Sequence, residues 1–262
     1  MVEVTEYIDV AQILLYIFWI FFAGLVIHLQ MESRREGFPI ESDTGEREPA
    51  SFIFTPEPKT WHLPHGHGTL SVPNDDRDVN SDNFNATRIN DFEGTAWEPN
   101  SEDPMGEPVG PGAWTERANV PDMTFEGHVK IVPMRNEKEY VIAKGDIDPR
   151  GLRVVGCDAI VGGEVVDIWV DKAEQYIRYL EVKTDHETPK NVLLPFNFCV
   201  IKTIRGNEKV VYVHAITGAQ FHDVPTTRKR AEVTLREEDR IMGFYGGGLL
   251  YATPDRTKPA LF

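Results

Sequence analysis

Cysteine is nearly missing: the 262 residues hold only Cys157 and Cys199. Two such distant thiols make neither a disulfide framework nor a metal-type spacing, and each is expected as a small buried hydrophobe. Positive charge is also scarce. Against 42 Asp and Glu stand 27 Lys and Arg, for a net charge of −15. No basic stripe is available to neutralise phosphates, so nucleic acid is excluded as a partner. The common catalytic signatures are missing too: no P-loop, no dinucleotide fingerprint after a strand, no G-x-S-x-G and no H-E-x-x-H. Gly246-Gly247-Gly248 follows a helical pattern, the wrong context for cradling phosphate. His62, His65 and His67 lack a cysteine or a fourth ligand nearby and read as a polar loop rather than a metal site. Long apolar runs are absent with one exception.

That exception is Val10 to Met31, which carries no Asp, Glu, Lys or Arg. As a helix it crosses the roughly 30 Å apolar core of a bilayer with its backbone bonds satisfied internally. A cleaved signal peptide would start basic and have a shorter apolar part, whereas Glu3, Glu6 and Asp9 precede this run. It is expected to remain as a membrane anchor. No Lys or Arg precedes it, while Arg34, Arg35 and Arg47 follow. That bias puts residues 1–9 in the periplasm and the bulk of the chain in the cytoplasm, with Arg34 and Arg35 at lipid headgroups.

Residues 32–112 are rich in proline, which forbids a long helix or a central strand. Phe52, Phe54, Trp61, Leu63, Leu70, Val72 and Trp97 recur there, so an extended segment lying over a membrane-side partner surface is expected. From 113 to 262 the texture becomes β-rich. Strand-like runs occur at Lys130–Val132, Tyr140–Ala143, Leu152–Val161, Glu164–Val170, Tyr176–Val182, Asn191–Leu194, Phe198–Thr203 and Lys209–Ile216. Gly162-Gly163 reads as a hairpin signal. Short strands at close spacing fit a small antiparallel barrel or sandwich. Thr234-Leu235-Arg236-Glu237, preceded by Val233, is a capping box that opens a helix over 234–245, stopped by the three glycines. Titratable groups gather around the strands, at Glu126, His128, Asp167, Asp171, Glu174, Arg178 and Glu181, and such groups can pass protons at neutral pH.

Several stretches together resemble the H subunit of the purple bacterial photosynthetic reaction centre. They are Arg35-Glu36-Gly37-Phe38-Pro39, Pro58-Lys59-Thr60, Leu63-Pro64-His65-Gly66, Asp103-Pro104-Met105, Lys130-Ile131-Val132-Pro133-Met134, Asp148-Pro149-Arg150-Gly151-Leu152, Asp167-Ile168-Trp169-Val170-Asp171, Arg178-Tyr179-Leu180-Glu181-Val182 and Gly247-Gly248-Leu249-Leu250-Tyr251-Ala252, in family order. The resemblance implies a single N-terminal transmembrane helix, a mainly-β cytoplasmic domain built on a small antiparallel PRC-type barrel, and a short C-terminal helix. It implies L and M subunits as partners, which hold bacteriochlorophyll, bacteriopheophytin, quinones, non-haem iron and carotenoid. This chain itself would hold no cofactor and catalyse nothing. A cytochrome subunit and a light-harvesting ring are possible neighbours, in a bacterial inner, chromatophore membrane. The resemblance further implies a proton route to the secondary quinone through Glu174, Asp171 and Arg178, with uptake near His128 and Lys130. Some relatives read His-Gly-His where this chain has Glu126-Gly127-His128, and an Asp where it has Thr124, which departs from a histidine-centred entry although a carboxylate can still collect protons. Two other readings stay open: a membrane-tethered barrel that recruits a cytoplasmic protein, and a tethered hydrolase using His62 to His67.

Overall fold

The computed structural model describes residues 9–35, 55–74, 85–92, 94–204 and 206–257. Phe52, Phe54, Arg47 and most of the acidic lead lie outside those residues. The chain divides into two compact units, Met1–Ser81 with Phe92–Gly94, and Asp82–Asp91 with Thr95–Phe262.

The first unit is built on α1, Val10–Ser33, two residues longer than the apolar run. Asp9 caps its start, its Oδ1 accepting the Gln12 N–H at 2.7 Å. At 24 residues it reaches about 36 Å. None of its residues is buried, and Leu14, Ile17, Ile20, Phe21 and Leu29 are all exposed. A helix apolar on every side, without a polar face for water, suits lipid. Beyond it β1, Lys59–His62, pairs antiparallel with β2, Thr69–Val72, placing Trp61 opposite Leu70. His62, His65 and His67 are exposed along the connection between these strands.

The helix end is tied to this hairpin by Arg35. Its Nε and Nη2 donate to the two carboxylate oxygens of Glu32 at 2.9 Å each. Nη1 donates to the carbonyls of Glu57 at 2.6 Å and Val72 at 3.2 Å. Lys59 Nζ adds a third cation contact to Glu32 at 3.0 Å. With 5% of its surface exposed, Arg35 is an internal tie rather than the headgroup contact expected of it. Its planar fork suits simultaneous carboxylate and carbonyl contacts.

In the second unit β3, Ala86–Arg88, pairs with β4, Trp97–Pro99. The main sheet holds β5, Ile131–Pro133; β6, Arg153–Val155; β7, Val161–Asp171; β8, Tyr176–Thr184; β9, Asn191–Pro195; β10, Cys199–Thr203; and β11, Lys209–Val213. Its order is β10-β11-β6-β7-β8-β9, with β5 pairing to β7. All pairings are antiparallel except β11 with β6. Laid flat, six strands would hold β9 and β10 about 24 Å apart. Only Phe196–Phe198 separates them in sequence, a reach of about 14 Å. The sheet is therefore strongly rolled. Inside it pack Val154, Val165, Ile168, Leu180, Val182, Leu194, Val211 and Phe221, all fully buried.

α2, Leu235–Tyr251, starts at the expected capping box: Thr234 Oγ1 accepts the Glu237 N–H at 3.2 Å and Glu237 Oε2 accepts the Thr234 N–H at 2.9 Å. It does not stop at the glycines but runs through them to Tyr251. A Cβ at Gly246 would strike the carbonyl of Pro111, and one at Gly248 would lie 2.6 Å from Ile216 Cγ2. These glycines admit close neighbours rather than ending the helix. The same reason corrects the hairpin signal: Gly162 and Gly163 lie inside β7, where a Cβ on Gly162 would collide with the Phe221 ring. The chain reverses earlier, at Cys157–Ala159, with Ala159 at φ 63°. Tyr140–Ala143 forms no strand, and Val141 is 80% exposed. Both cysteines are half-buried free thiols rather than fully buried ones, and burial pushes the Cys199 thiol up to about 12. Met105 and Val109, from within the proline-rich stretch, are buried, and the turn Gly110–Gly112 packs on α2.

Candidate functional site

The hairpin between β7 and β8 sets the geometry. Asp171 closes β7, and its Oδ1 accepts the N–H groups of Ala173 at 2.9 Å and Glu174 at 3.0 Å. Side-chain capping of this kind is what aspartate does in turns. Gln175, at φ 57°, completes the reversal. Glu174 is thereby held at the hairpin tip with 62% of its side chain exposed, while the Asp171 side chain is buried.

Lys130 reaches this turn from a second hairpin. Met123 and Val129 form a β-bridge, and the Lys130 N–H donates to Asp122 O at 2.9 Å, bringing the two residues side by side. Its Nζ then lies 3.3 Å from Asp122 Oδ2, 3.5 Å from Asp171 Oδ2 and 3.7 Å from Glu174 Oε1. Burial works against the ammonium charge, but the carboxylates of Asp171, Asp122 and Glu174 outweigh it and raise the pKa. Lys130 is thus a fixed cation held among three carboxylates.

Arg178 and Glu238 form the next layer. Glu238 projects inward from α2; its Oε2 accepts the Tyr179 hydroxyl at 2.8 Å and lies 3.8 Å from Arg178 Nε. Burial pushes this carboxyl up, and Tyr179 and Arg178 offset the shift only partly. Arg178 also donates from Nη1 to Tyr176 Oη at 2.6 Å. Asp122, Lys130, Asp171, Glu174, Arg178 and Glu238 line one cleft of about 200 Å³.

Four of the expected residues, Glu174, Asp171, Arg178 and Lys130, are therefore together. Glu126 and His128 are not in the cleft wall. They stand exposed at the tip of the hairpin whose base carries Asp122 and Lys130. The Thr124 N–H donates to His128 O at 2.8 Å, and the Gly127 N–H to Thr124 O at 3.0 Å, which fixes the turn. The Glu126 carboxyl is held below the usual carboxylate range by its own backbone N–H and the Thr124 hydroxyl, with a smaller pull from His128.

Asp122 and Glu238 were not anticipated. Glu238 had a readable signal: it shares a helix face with Ile241 and Tyr245, three and seven residues on, both fully buried. Asp122 had none, because only the pairing of the hairpin places it beside Lys130.

A second acid–base group lies at β5, β7 and β8. Asp167 and Glu181 are buried, and Arg135 Nη1 reaches Asp167 Oδ2 at 2.9 Å and also pairs with Glu181. Glu181 further accepts Trp169 Nε1–H at 2.9 Å and Asn191 Nδ2–H at 2.6 Å.

Comparison with known families gives two matches. The family model for the photosynthetic reaction centre H-chain N-terminal region covers residues 2–136. The PRC-barrel domain model covers residues 144–220. The cleft takes Asp122 and Lys130 from the first span, Asp171, Glu174 and Arg178 from the second, and Glu238 from neither.

Proposed function

Because this chain belongs to the photosynthetic reaction-centre H-chain family, whose members are structural subunits of an electron-transfer complex, we propose that its β-rich unit covers the quinone side of the pigment-holding L and M subunits and delivers protons from the cytoplasm to the secondary quinone. α1 would anchor it with the N-terminus periplasmic, and Arg34 would meet lipid headgroups on the cytoplasmic side. The bacteriochlorophylls, bacteriopheophytins, quinones, iron and carotenoid would belong to the partners.

The observation that carries the reading is the ring of Asp122, Asp171 and Glu174 at 3.3–3.7 Å around Lys130 Nζ. A quinone taking up electrons must also take up protons, and it is shielded from water by the cover that stabilises it. The cover must then carry acids and bases close enough to hand protons on. In this route Glu126 and His128 collect protons at the exposed hairpin tip. The negative field of the chain raises the local proton concentration. Asp122 and Glu174 exchange protons through water, while Lys130 and Arg178 hold the carboxylates in place. Glu174 is the most exposed carboxylate of the ring and the last before the partner.

The test uses the assembled complex. Glu174→Gln removes a titrating group without changing its size, and should slow transfer of the second electron to the secondary quinone by about tenfold or more, given the usual worth of a positioned acid or base. Unchanged kinetics across pH 6–9 would remove Glu174 from the route. A detergent extract of this chain free of near-infrared pigment, with a soluble cytoplasmic protein bound instead, would favour the tethered-adaptor reading.

A further inference from the structure

On the outer face of β8 and β9 lies a larger cleft, about 570 Å³, that the proton route does not use. Register defines its floor. Lys183 pairs across with Asn191, and Glu181 with Leu193. Alternate residues of a strand share a face, so these four form one patch. Val166 joins them from β7 at a register break between Val165 and Asp167, as a bulge re-aims a side chain. Trp169 lines the cleft beside Leu193, and Lys190 and Arg230 border it from the loops above.

Its charge runs against that of the chain. The total is −15, and most cations of this unit are taken by carboxylates, including Lys130, Arg135, Arg150, Arg153, Lys172, Arg236 and Arg240. Lys183, Lys190 and Arg230 have no carboxylate within ion-pair distance among the described residues; Lys190 Nζ donates only to Val224 O at 3.2 Å. The one carboxylate in the wall, Glu181, is already bound by Arg135, Trp169 and Asn191. Three cations without a carboxylate at ion-pair distance thus border a cavity of ligand size, with Glu164 opposite Lys183 on the neighbouring strand. Val166 is the exposed apolar residue of its floor, above the almost fully buried Trp169 and Leu193.

We propose that this cleft binds a phosphate-bearing small molecule, its phosphate held by Lys183, Lys190 and Arg230 and its apolar body resting on Val166. A phosphate can carry more than one negative charge and accepts the planar fork of an arginine in bidentate fashion, which a single carboxylate matches less well against three cations. The phosphate could come from a soluble ester or from an anionic lipid headgroup. The site is independent of the proton route.

The test titrates full-length chain in detergent, at fixed salt, with pyrophosphate, adenosine monophosphate and dihexanoyl phosphatidylglycerol, read by calorimetry and by tryptophan fluorescence. At least one probe should bind saturably, and Lys183→Gln with Arg230→Gln should weaken it at least tenfold. Lys144→Gln with Lys209→Gln, outside the cleft, should leave it unchanged. Binding of the nucleotide but not the lipid identifies a soluble ester, and the reverse identifies a headgroup. Because Lys183 and Arg230 are exposed, thermal melting should be the same in both variant pairs, so lost binding is not lost folding. No saturable binding, or equal binding by both variant pairs, overturns the proposal.

Discussion

Two acid–base clusters share β7 and β8 and are built to opposite ends. Around Arg135 the carboxylates of Asp167 and Glu181 are 5% and 7% exposed, and the acceptor positions of Glu181 are filled by Arg135, Trp169 and Asn191. Around Lys130 the contacts are longer, 3.3–3.7 Å, shared three ways, and two of the three carboxylates are substantially exposed. A saturated buried cluster fixes structure, because moving any proton leaves a charge unpaired in low dielectric. A loosely held, half-wet cluster can change protonation at little cost. One holds the sheet together; the other has the openness that the proposed proton route requires.

The sharpest way to break this contrast is to remove each central cation. Arg135→Met strands two buried carboxylates and should cost roughly 3 kcal/mol, the low end for a broken buried pair because Arg135 is itself 40% exposed. Thermal unfolding in detergent should show this as a fall of several degrees. Lys130→Met should cost less, about 1–2 kcal/mol: water replaces it beside Asp122 and Glu174, and the buried Asp171 keeps the N–H groups of Ala173 and Glu174. Equal losses would erase the distinction.

A smaller effect compares glycines in the two helices. Gly246→Ala should destabilise by about 1–3 kcal/mol through collision with Pro111, although alanine is the better helix former by about 1 kcal/mol. Gly24→Ala in α1, with nothing within 4 Å, should not lower the melting temperature of the isolated chain. Stabilisation by Gly246→Ala would mean that helix and turn are not in contact.

The smallest effect lies in pH dependence. Folding raises the Glu238 carboxyl above its ordinary value of 4.5 through burial. Its contribution is therefore intact below that value and is lost as pH rises through the higher folded one. Glu238→Gln keeps an acceptor for Tyr179 and cannot ionise, so the drop in melting temperature between pH 4 and pH 8 should shrink. An unchanged drop would place the titration elsewhere.

Where one local rule sufficed, the sequence was a good guide. The uncharged run at Val10–Met31, the capping box at Thr234 and most of the strands could be read directly. The glycines misled, because Gly162 and Gly246 look like punctuation while their role is close packing against residues distant in the chain. Tyr140–Ala143 misled because strand propensity depends on context and does not by itself make a ladder. At the cleft, Asp171 and Glu174 stood out among the titratable residues around the strands and took a role only through family resemblance, whereas Asp122 depended on hairpin register. Arg35 looked like a headgroup contact because its partners Glu57 and Val72 lie more than twenty residues away.

Proton uptake after the second flash, followed with a pH-indicator dye in the assembled complex, tests the central claim most directly. With Glu174→Gln it should lag the native complex by about tenfold or more, while Glu164→Gln, outside the cleft, should keep the native time course. Identical uptake in all three would contradict a route through the Lys130 cleft.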